Sequence, residues 1–474
     1  MPADEVITRA TVLEEPLASS RRIRLGTFAR IVRHGLPRTG GESSWGLREL
    51  ARNVAARNAQ RRRFARYVTH DLTRYLTDGP VPITGETFAR AQLAAGWLGR
   101  AQDGMPDDGV SYGYFPFRSA KGWRESYPET TGYIVPTLFD YADASGDANY
   151  YDRAIRAARF VTGCQMASGA IYGGRVRATL AGAIPVAFNT GMALLGFSAA
   201  YRRSGDPFFR ERVRKAAEFL VDDVDPDGHF RSHGPFVHSS TIKTYSVLCA
   251  WPLYLAGEDC DEPVFCRAAV RVCDAILRQQ RENGWFDNNC LSARDDTPLL
   301  HTIGYTLQGL LEVGILSGER RHVVAAQRAM DHLLPFCARG FLHSRWFSNW
   351  EPAALSSCLT GAAQTAVVGY RLAAHTAEPR YRHAADAVLN YLKAVQPTGV
   401  DDGAPPEIVG AIGGSFPLVG AYMRNGFPSW ATKFFLDGLL CQEGHRRGGP
   451  DTQAAHLQRS NAATHIHPAA TRAT

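Results

Sequence analysis

Six short stretches of the 474-residue chain place reactive side chains beside threonines at one phase of a helical pattern. They read Glu129-Thr130-Thr131-Gly132-Tyr133, Asn189-Thr190-Gly191, Lys243-Thr244-Tyr245, His301-Thr302-Ile303-Gly304-Tyr305, Leu359-Thr360-Gly361-Ala362-Ala363-Gln364 and Trp430-Ala431-Thr432-Lys433. Helix capping by itself explains the Thr, Asn and Gly residues. It does not explain Glu, Asn, Lys and His at one phase, the pattern expected of side chains that converge on one cavity. Lysine is scarce, five against 48 arginines, and two of the five, Lys243 and Lys433, fall in this set.

Two chemistries fit these residues. A glycoside hydrolase needs two carboxylates flanking the scissile bond, for which Glu129 and Asp287 are the candidates. Proton abstraction beside a uronate carboxylate instead needs groups that neutralise the carboxylate, plus a base and an acid. Lys243, Asn189 and Gln364 would neutralise it, His301 or Tyr305 would exchange the C5 proton, and Glu129 would orient the sugar or the base. Aromatic residues in the intervening loops suit the apolar faces of sugar rings. The expected substrate-binding set is Tyr127, Tyr133, Asn189, Trp285, Asp287, Trp350, Gln364, Trp430 and Lys433. The inventory favours uronic-acid chemistry, by a C5-epimerase or a lyase, over the carboxylate pair. No His/Asp pair stands at ligand spacing, so no metal is expected. Nor is there a GxGxxG or P-loop motif, so no nucleotide cofactor is expected.

These residues need a scaffold that repeats. Gly169, Gly228, Gly284, Gly340 and Gly399 each close a helical pattern at spacings of 59, 56, 56 and 59. A second marker runs out of phase with the first, at Gly146-Asp147, Gly205-Asp206, Gly257-Glu258, Gly318-Glu319 and Ala377-Glu378. Two helices and two turns per period describe stacked α-hairpins. Helical periodicity predicts twelve helices, over 86–102, 129–143, 149–166, 189–204, 208–222, 242–256, 263–281, 301–317, 321–336, 359–376, 380–396 and 430–443. The fold class is therefore all-α, an (α/α)6 toroid whose first helix pairs with its last. A closed ring buries hairpin faces that no single hairpin can bury. Residues 1–80 read as a basic, partly disordered arm with an Arg-rich helix over 46–76, residues 81–444 as the barrel, and residues 445–474 as a disordered tail.

The formal charge of +7 resides in the arm, whose first 80 residues hold 15 Arg, no Lys and 8 acidic residues. With the tail also set aside, the ring carries 34 basic and 37 acidic residues, so no nucleic-acid partner is expected. No segment reaches the ~20 apolar residues of a membrane span. The acidic start, Met1-Pro2-Ala3-Asp4-Glu5, lacks an apolar signal region. Nine cysteines without metal spacing fit reduced thiols, and the expected location is the cytoplasm.

Ser126-Tyr127-Pro128-Glu129-Thr130-Thr131-Gly132-Tyr133, Asn283-Gly284-Trp285-Phe286, His301-Thr302-Ile303-Gly304-Tyr305, Ser415-Phe416-Pro417 and Pro428-Ser429-Trp430-Ala431-Thr432-Lys433-Phe434-Phe435 resemble bacterial six-hairpin proteins of polysaccharide gene clusters, described as D-glucuronyl C5-epimerase-like. The resemblance spans residues 86–443. It implies a six-hairpin barrel that acts on a poly- or oligosaccharide without a diffusible cofactor, with Glu129, His301, Tyr305 and Lys433 at matching positions. The stretch Gln280-Arg281-Glu282-Asn283-Gly284-Trp285 is also similar to the Q-x3-G-x-W turn of terpene cyclases, but their DxDD motif is absent. A non-catalytic glycan-binding protein is the remaining reading. In it the arm docks membrane-bound synthesis machinery, against the plainer expectation of a solvated or packed helical extension.

Overall fold

The computed structural model describes residues 43–77, 79–119, 121–234, 241–292, 295–400 and 402–446. The predicted disorder of the first forty residues and of the tail beyond 446 lies outside them. Helix α1 is Ser43–Leu76. The described residues divide into two units at Gln60, within α1, and the second unit carries the rest of the described elements. Within the second unit, the α1 residues Phe64, Tyr67 and Asp71 are buried. Arg61 donates to the Pro116 carbonyl at 3.1 Å and Arg74 to that of Ala394 at 3.1 Å, so this part of the arm is a packed extension.

Among the described residues the second unit holds twelve further helices. They are α2 (Thr87–Asp103), α3 (Pro128–Ser145), α4 (Ala148–Gly163), α5 (Ala187–Ser204), α6 (Pro207–Asp223), α7 (Ala250–Cys260), α8 (Pro263–Leu277), α9 (Leu300–Ser317), α10 (Arg320–Cys337), α11 (Leu359–Thr376), α12 (Pro379–Val395) and α13 (Ser429–Arg446). A 3-10 turn, Thr244–Cys249, leads into α7. The odd-numbered helices from α3 to α13 form the inner ring; α13 packs on α3 to close it, and α2 packs on α13. This is the all-α toroid expected from the repeats. Two two-stranded antiparallel ladders tie the loops at one mouth, β1 (Gly113–Tyr114) to β4 (Phe427–Pro428) and β2 (Ser357–Cys358) to β3 (Ser415–Phe416). No helix among the described residues is long and apolar enough to cross a membrane.

Burial separates the two rings. In α9 every residue from Leu300 to Gly314 is buried, as an inner helix enclosed on all sides requires. In α4 only Ala154, Ala157, Ala158 and Val161 are buried, one stripe turned to the ring. Inner helices approach closely where glycine leaves room. A Cβ on Gly361 would lie 2.6 Å from the His301 nitrogen, so α11 rests directly against the start of α9.

The repeat markers have a physical cause. Gly146, Gly205, Gly318 and Ala377 end inner helices in the left-handed conformation, and Asp147 and Asp206 then cap the next helix. Gly257 departs from this expectation, because it lies inside α7 and the left-handed cap is Asp261. The series 146, 205, 261, 318, 377 is the more even one. On the other rim Gln165 and Gln280 each donate to their own turn glycine, Gly169 or Gly284, and to a carbonyl of the next outer helix, Arg212 or Ala325. Gln396 makes the same pair of bonds to Gly410 and Arg90, so Gly410, and not Gly399, is the equivalent at ring closure. The Q-x3-G turn is thus a structural staple of the ring.

Candidate functional site

The inner-helix N-termini surround a cavity of about 270 Å³ on the mouth that carries the ladders. Helix α3 brings Glu129 from its first turn and Tyr133 from its second, α5 brings Phe188 and Asn189, α9 brings His301 and Tyr305, and α13 brings Trp430. Tyr127 precedes α3, Tyr112 belongs to the loop before it, and Tyr422 and Met423 come from the loop between the last two ladder strands. The walls are therefore largely aromatic. Tyr112 meets Trp430 edge-on at 4.8 Å, and the Trp430 indole N–H donates to the Tyr422 hydroxyl at 2.8 Å.

Glu129 is the only carboxylate in the lining among the described residues, and no cation or hydrogen-bond donor among them reaches it. Some solvent reaches its carboxyl through the narrow cavity, but protein surrounds it on all sides. Burial pushes its pKa up to about 8. The first helical turn would favour ionisation by about 0.3–1 kcal/mol, which desolvation outweighs. At neutral pH the group is an acid that holds its proton. Its charge, when formed, opposes ionisation of the neighbouring phenols. Tyr112 is pushed up to about 12, chiefly by burial and then by Glu129, and Tyr127, Tyr133, Tyr245 and Tyr305 are also raised.

His301 is buried and neutral, its pKa pushed down to about 4 by desolvation. Its Nδ1 lies 2.5 Å from the Gln364 carboxamide oxygen. With the amide assigned that way, Nδ1 donates and Nε2 keeps its lone pair. The imidazole lies 4.2 Å from the Tyr305 ring, tilted 45° to it, and the Tyr305 and Tyr133 hydroxyls hydrogen-bond each other.

Of the residues the sequence singled out, Glu129, Tyr127, Tyr133, Asn189, His301, Tyr305 and Trp430 line this cavity, and Gln364 stands behind His301. Lys243, Trp285 and Asp287 instead line a separate cleft of about 910 Å³. The buried Lys243 ammonium donates to the carbonyls of Cys290 and Leu291 at 2.9 and 3.1 Å and does not face the cavity. Lys243 precedes the 3-10 turn in extended backbone, whereas Glu129 and His301 lie inside their helices, and Tyr245, within the turn, lines the cavity instead. Asp287 is paired to Arg281 at 2.7 Å and shares no cavity with Glu129. The Trp350 indole donates to the Asn283 carbonyl at 2.9 Å and its ring meets Trp285 edge-on, beside the same outlying cleft. Lys433 is buried against Asp437 at 2.6 Å, one turn further along α13. The larger cleft is the roomier of the two, but the perturbed, unpaired acid and the buried imidazole are in the smaller.

The lining also includes Tyr245, Phe188 and His233, which the candidate set lacked, and Tyr422, one of the aromatic residues of the intervening loops. Phe188 directly precedes Asn189 and could have been found from the same alignment of helix starts. His233 and Tyr422 arrive on loops, where no periodicity marks them. No group of three or more His, Cys, Asp or Glu among the described residues is placed to hold a metal ion.

No family model matches the sequence, and no curated protein does. The fold has solved relatives. The chain superposes with a TM-score of 0.59 on an unsaturated glucuronyl hydrolase specific for heparin, at 15% identity, over 77% of this chain and 98% of that one. An unsaturated glucuronyl hydrolase from a Bacillus species, responsible for degradation of glycosaminoglycan, gives 0.58 at 17% identity over 77% and 98%. Cellobiose 2-epimerase from Bacillus thermoamylovorans gives 0.55 at 10% identity over 74% and 96%. At these identities the similarity establishes the (α/α)6 toroid, a fold in which these carbohydrate-active enzymes are built.

Proposed function

We propose that the protein is a carbohydrate-active enzyme whose cavity binds one uronic-acid unit of a poly- or oligosaccharide and exchanges its C5 proton, as a C5-epimerase or a lyase. The observation that carries this reading is a proton-bearing, unpaired Glu129 in the same aromatic cavity as a neutral His301 pinned by Gln364. Removing a proton beside a carboxylate requires the carboxylate's charge to be offset. Lys243 and Lys433 are committed elsewhere, so that work passes to the Glu129 O–H, the tyrosine hydroxyls and Asn189. A uronate beside His301 also raises the imidazole's basicity, because a nearby negative charge favours the imidazolium. A neutral sugar leaves it a weak base near 4, so the proposed base selects for an anionic ring. Tyr305, beside His301, is the candidate to return the proton.

One observation favours a second reading. The cavity offers a single protonated carboxyl and no second carboxylate among the described residues, which suits adding a proton to an unsaturated uronyl residue, the substrate named for two of the structural relatives. The hydrolase built on Glu129 and Asp287 has no such support.

One experiment separates these. The protein is incubated in D2O with glucuronan, alginate and heparosan-type chains and with 4,5-unsaturated oligosaccharides, read by NMR and ultraviolet absorbance. Deuterium at C5 without new absorbance means epimerase, rising absorbance means lyase, and falling absorbance of the unsaturated oligosaccharides means hydrolase. No change with any of them refutes the proposal and leaves a glycan-binding role, in which binding survives Glu129→Gln and His301→Ala.

A further inference from the structure

We propose that Asp71, on α1 and outside the cavity, is a positioning residue for the cavity wall: it holds the backbone of Leu418 and thereby the loop that presents Tyr422. The connection can be followed bond by bond. The Leu418 N–H donates to the Asp71 carboxylate at 2.6 Å. The Leu418 carbonyl in turn accepts the Asn425 N–H at 2.8 Å, closing the loop on itself. Within that loop the Ser415 hydroxyl donates to the Tyr422 carbonyl at 2.6 Å. The Tyr422 hydroxyl accepts from the Trp430 indole, and its ring lies 5.8 Å from the His301 ring. A residue of the arm therefore reaches the imidazole through one short loop.

The rest of the same helix face supports that loop without polar ties to it. Tyr75 meets Phe416 edge-on at 5.7 Å, and Phe64 meets Phe427 at 6.1 Å. Apolar packing of this kind fixes the distance between helix and loop but leaves sliding cheap, because it is non-directional. The Asp71 bond is directional and fixes register. A buried carboxyl is an expensive way to fill space, and Asp71 is only 7% exposed. Burial pushes its pKa up to about 7, while the Leu418 N–H and Arg74 pull it down. Arg74 on α1 faces it, and its charge in turn raises Tyr67 on α1 and Tyr391 on α12, with Asp402 also acting on Tyr67. This inference does not depend on which reaction the cavity performs.

The test uses the full chain labelled with 5-fluorotryptophan. Its eight tryptophans give eight fluorine resonances, and loss of one in Trp430→Phe assigns Trp430. Asp71→Ala is expected to shift or broaden the Trp430 resonance while the other seven stay in place. Asp71→Asn, whose amide oxygen still accepts the Leu418 N–H, is expected to leave it unchanged. A folded Asp71→Ala with an unmoved Trp430 resonance overturns the proposal, as does an Asp71→Asn that moves it equally. Should Asp71→Ala fail to fold, Asp71→Leu, close in shape but without an acceptor for the Leu418 N–H, takes its place, and the same two outcomes decide.

Discussion

Glu129→Gln should change stability in a manner that depends on pH and identifies the carboxyl as the cause. The ordinary carboxyl value is 4.5 and the folded value about 8. Between them the native protein holds a proton that the unfolded chain has released, so stability falls as pH rises from about 4.5 and levels off above 8. Each pH unit in that window costs about 1.4 kcal/mol, which sets a ceiling of about 5 kcal/mol. Solvent reaching the cavity screens part of it, so a loss of about 2–4 kcal/mol is expected. Glutamine has the same shape and nothing to ionise. The wild type and the variant should therefore be nearly equal in urea unfolding at pH 4.5, with the variant ahead by about 2–4 kcal/mol at pH 9. The difference should grow mainly between pH 5 and 8. Parallel stability curves across that range would show that Glu129 ionises normally, and would remove the acid from the proposed mechanism. If Glu129 is that acid, activity on whichever substrate is turned over should fall as pH rises through about 8 and should be lost in Glu129→Gln.

Three further outcomes follow from the same geometry. Gln364→Glu places a carboxylate on His301 Nδ1, so the imidazole pKa should rise from about 4 by 1–3 units by histidine NMR titration, and no change would show that the two side chains do not touch. Lys433→Met should cost about 3–5 kcal/mol in urea unfolding because it strands the buried Asp437, and adding Asp437→Leu should recover much of the loss; a single variant as stable as wild type would refute a buried pair. Lys243→Met should cost about 1–3 kcal/mol and raise amide exchange over residues 289–292, with little effect on ligand binding in the smaller cavity; a large binding loss with normal exchange would return Lys243 to the site.

Much of the fold could be read from the chain because its causes are local. A left-handed turn after an inner helix favours glycine, and an outer helix wants an aspartate cap, so Gly146-Asp147 and Gly205-Asp206 marked their turns. Gly257 misled because a glycine is equally useful where Cys266 crowds the backbone, and Asp261 took the turn. The site was legible wherever helical phase predicts direction. Glu129, Asn189, His301 and Trp430 begin inner helices, and all four line the cavity. Lys243 fits the same alignment, but it stands in extended backbone just before its helical turn and not inside it. Lys433 was displaced by a stronger preference, since a buried ammonium seeks a carboxylate and Asp437 stands four residues on.

The sequence by itself determined the number of helices, their order, the closed ring and the mouth where reactive side chains collect. Each of these depends on spacing along the chain, which capping and amphipathic burial express locally. Only the tertiary structure decided which side chains share a cavity, that Asp287 is far removed in role from Glu129, and that neither lysine faces the site. It also decided the protonation of the site. Burial raises Glu129 and lowers His301, and burial is a property of the six helices and the loops around them that no single segment carries.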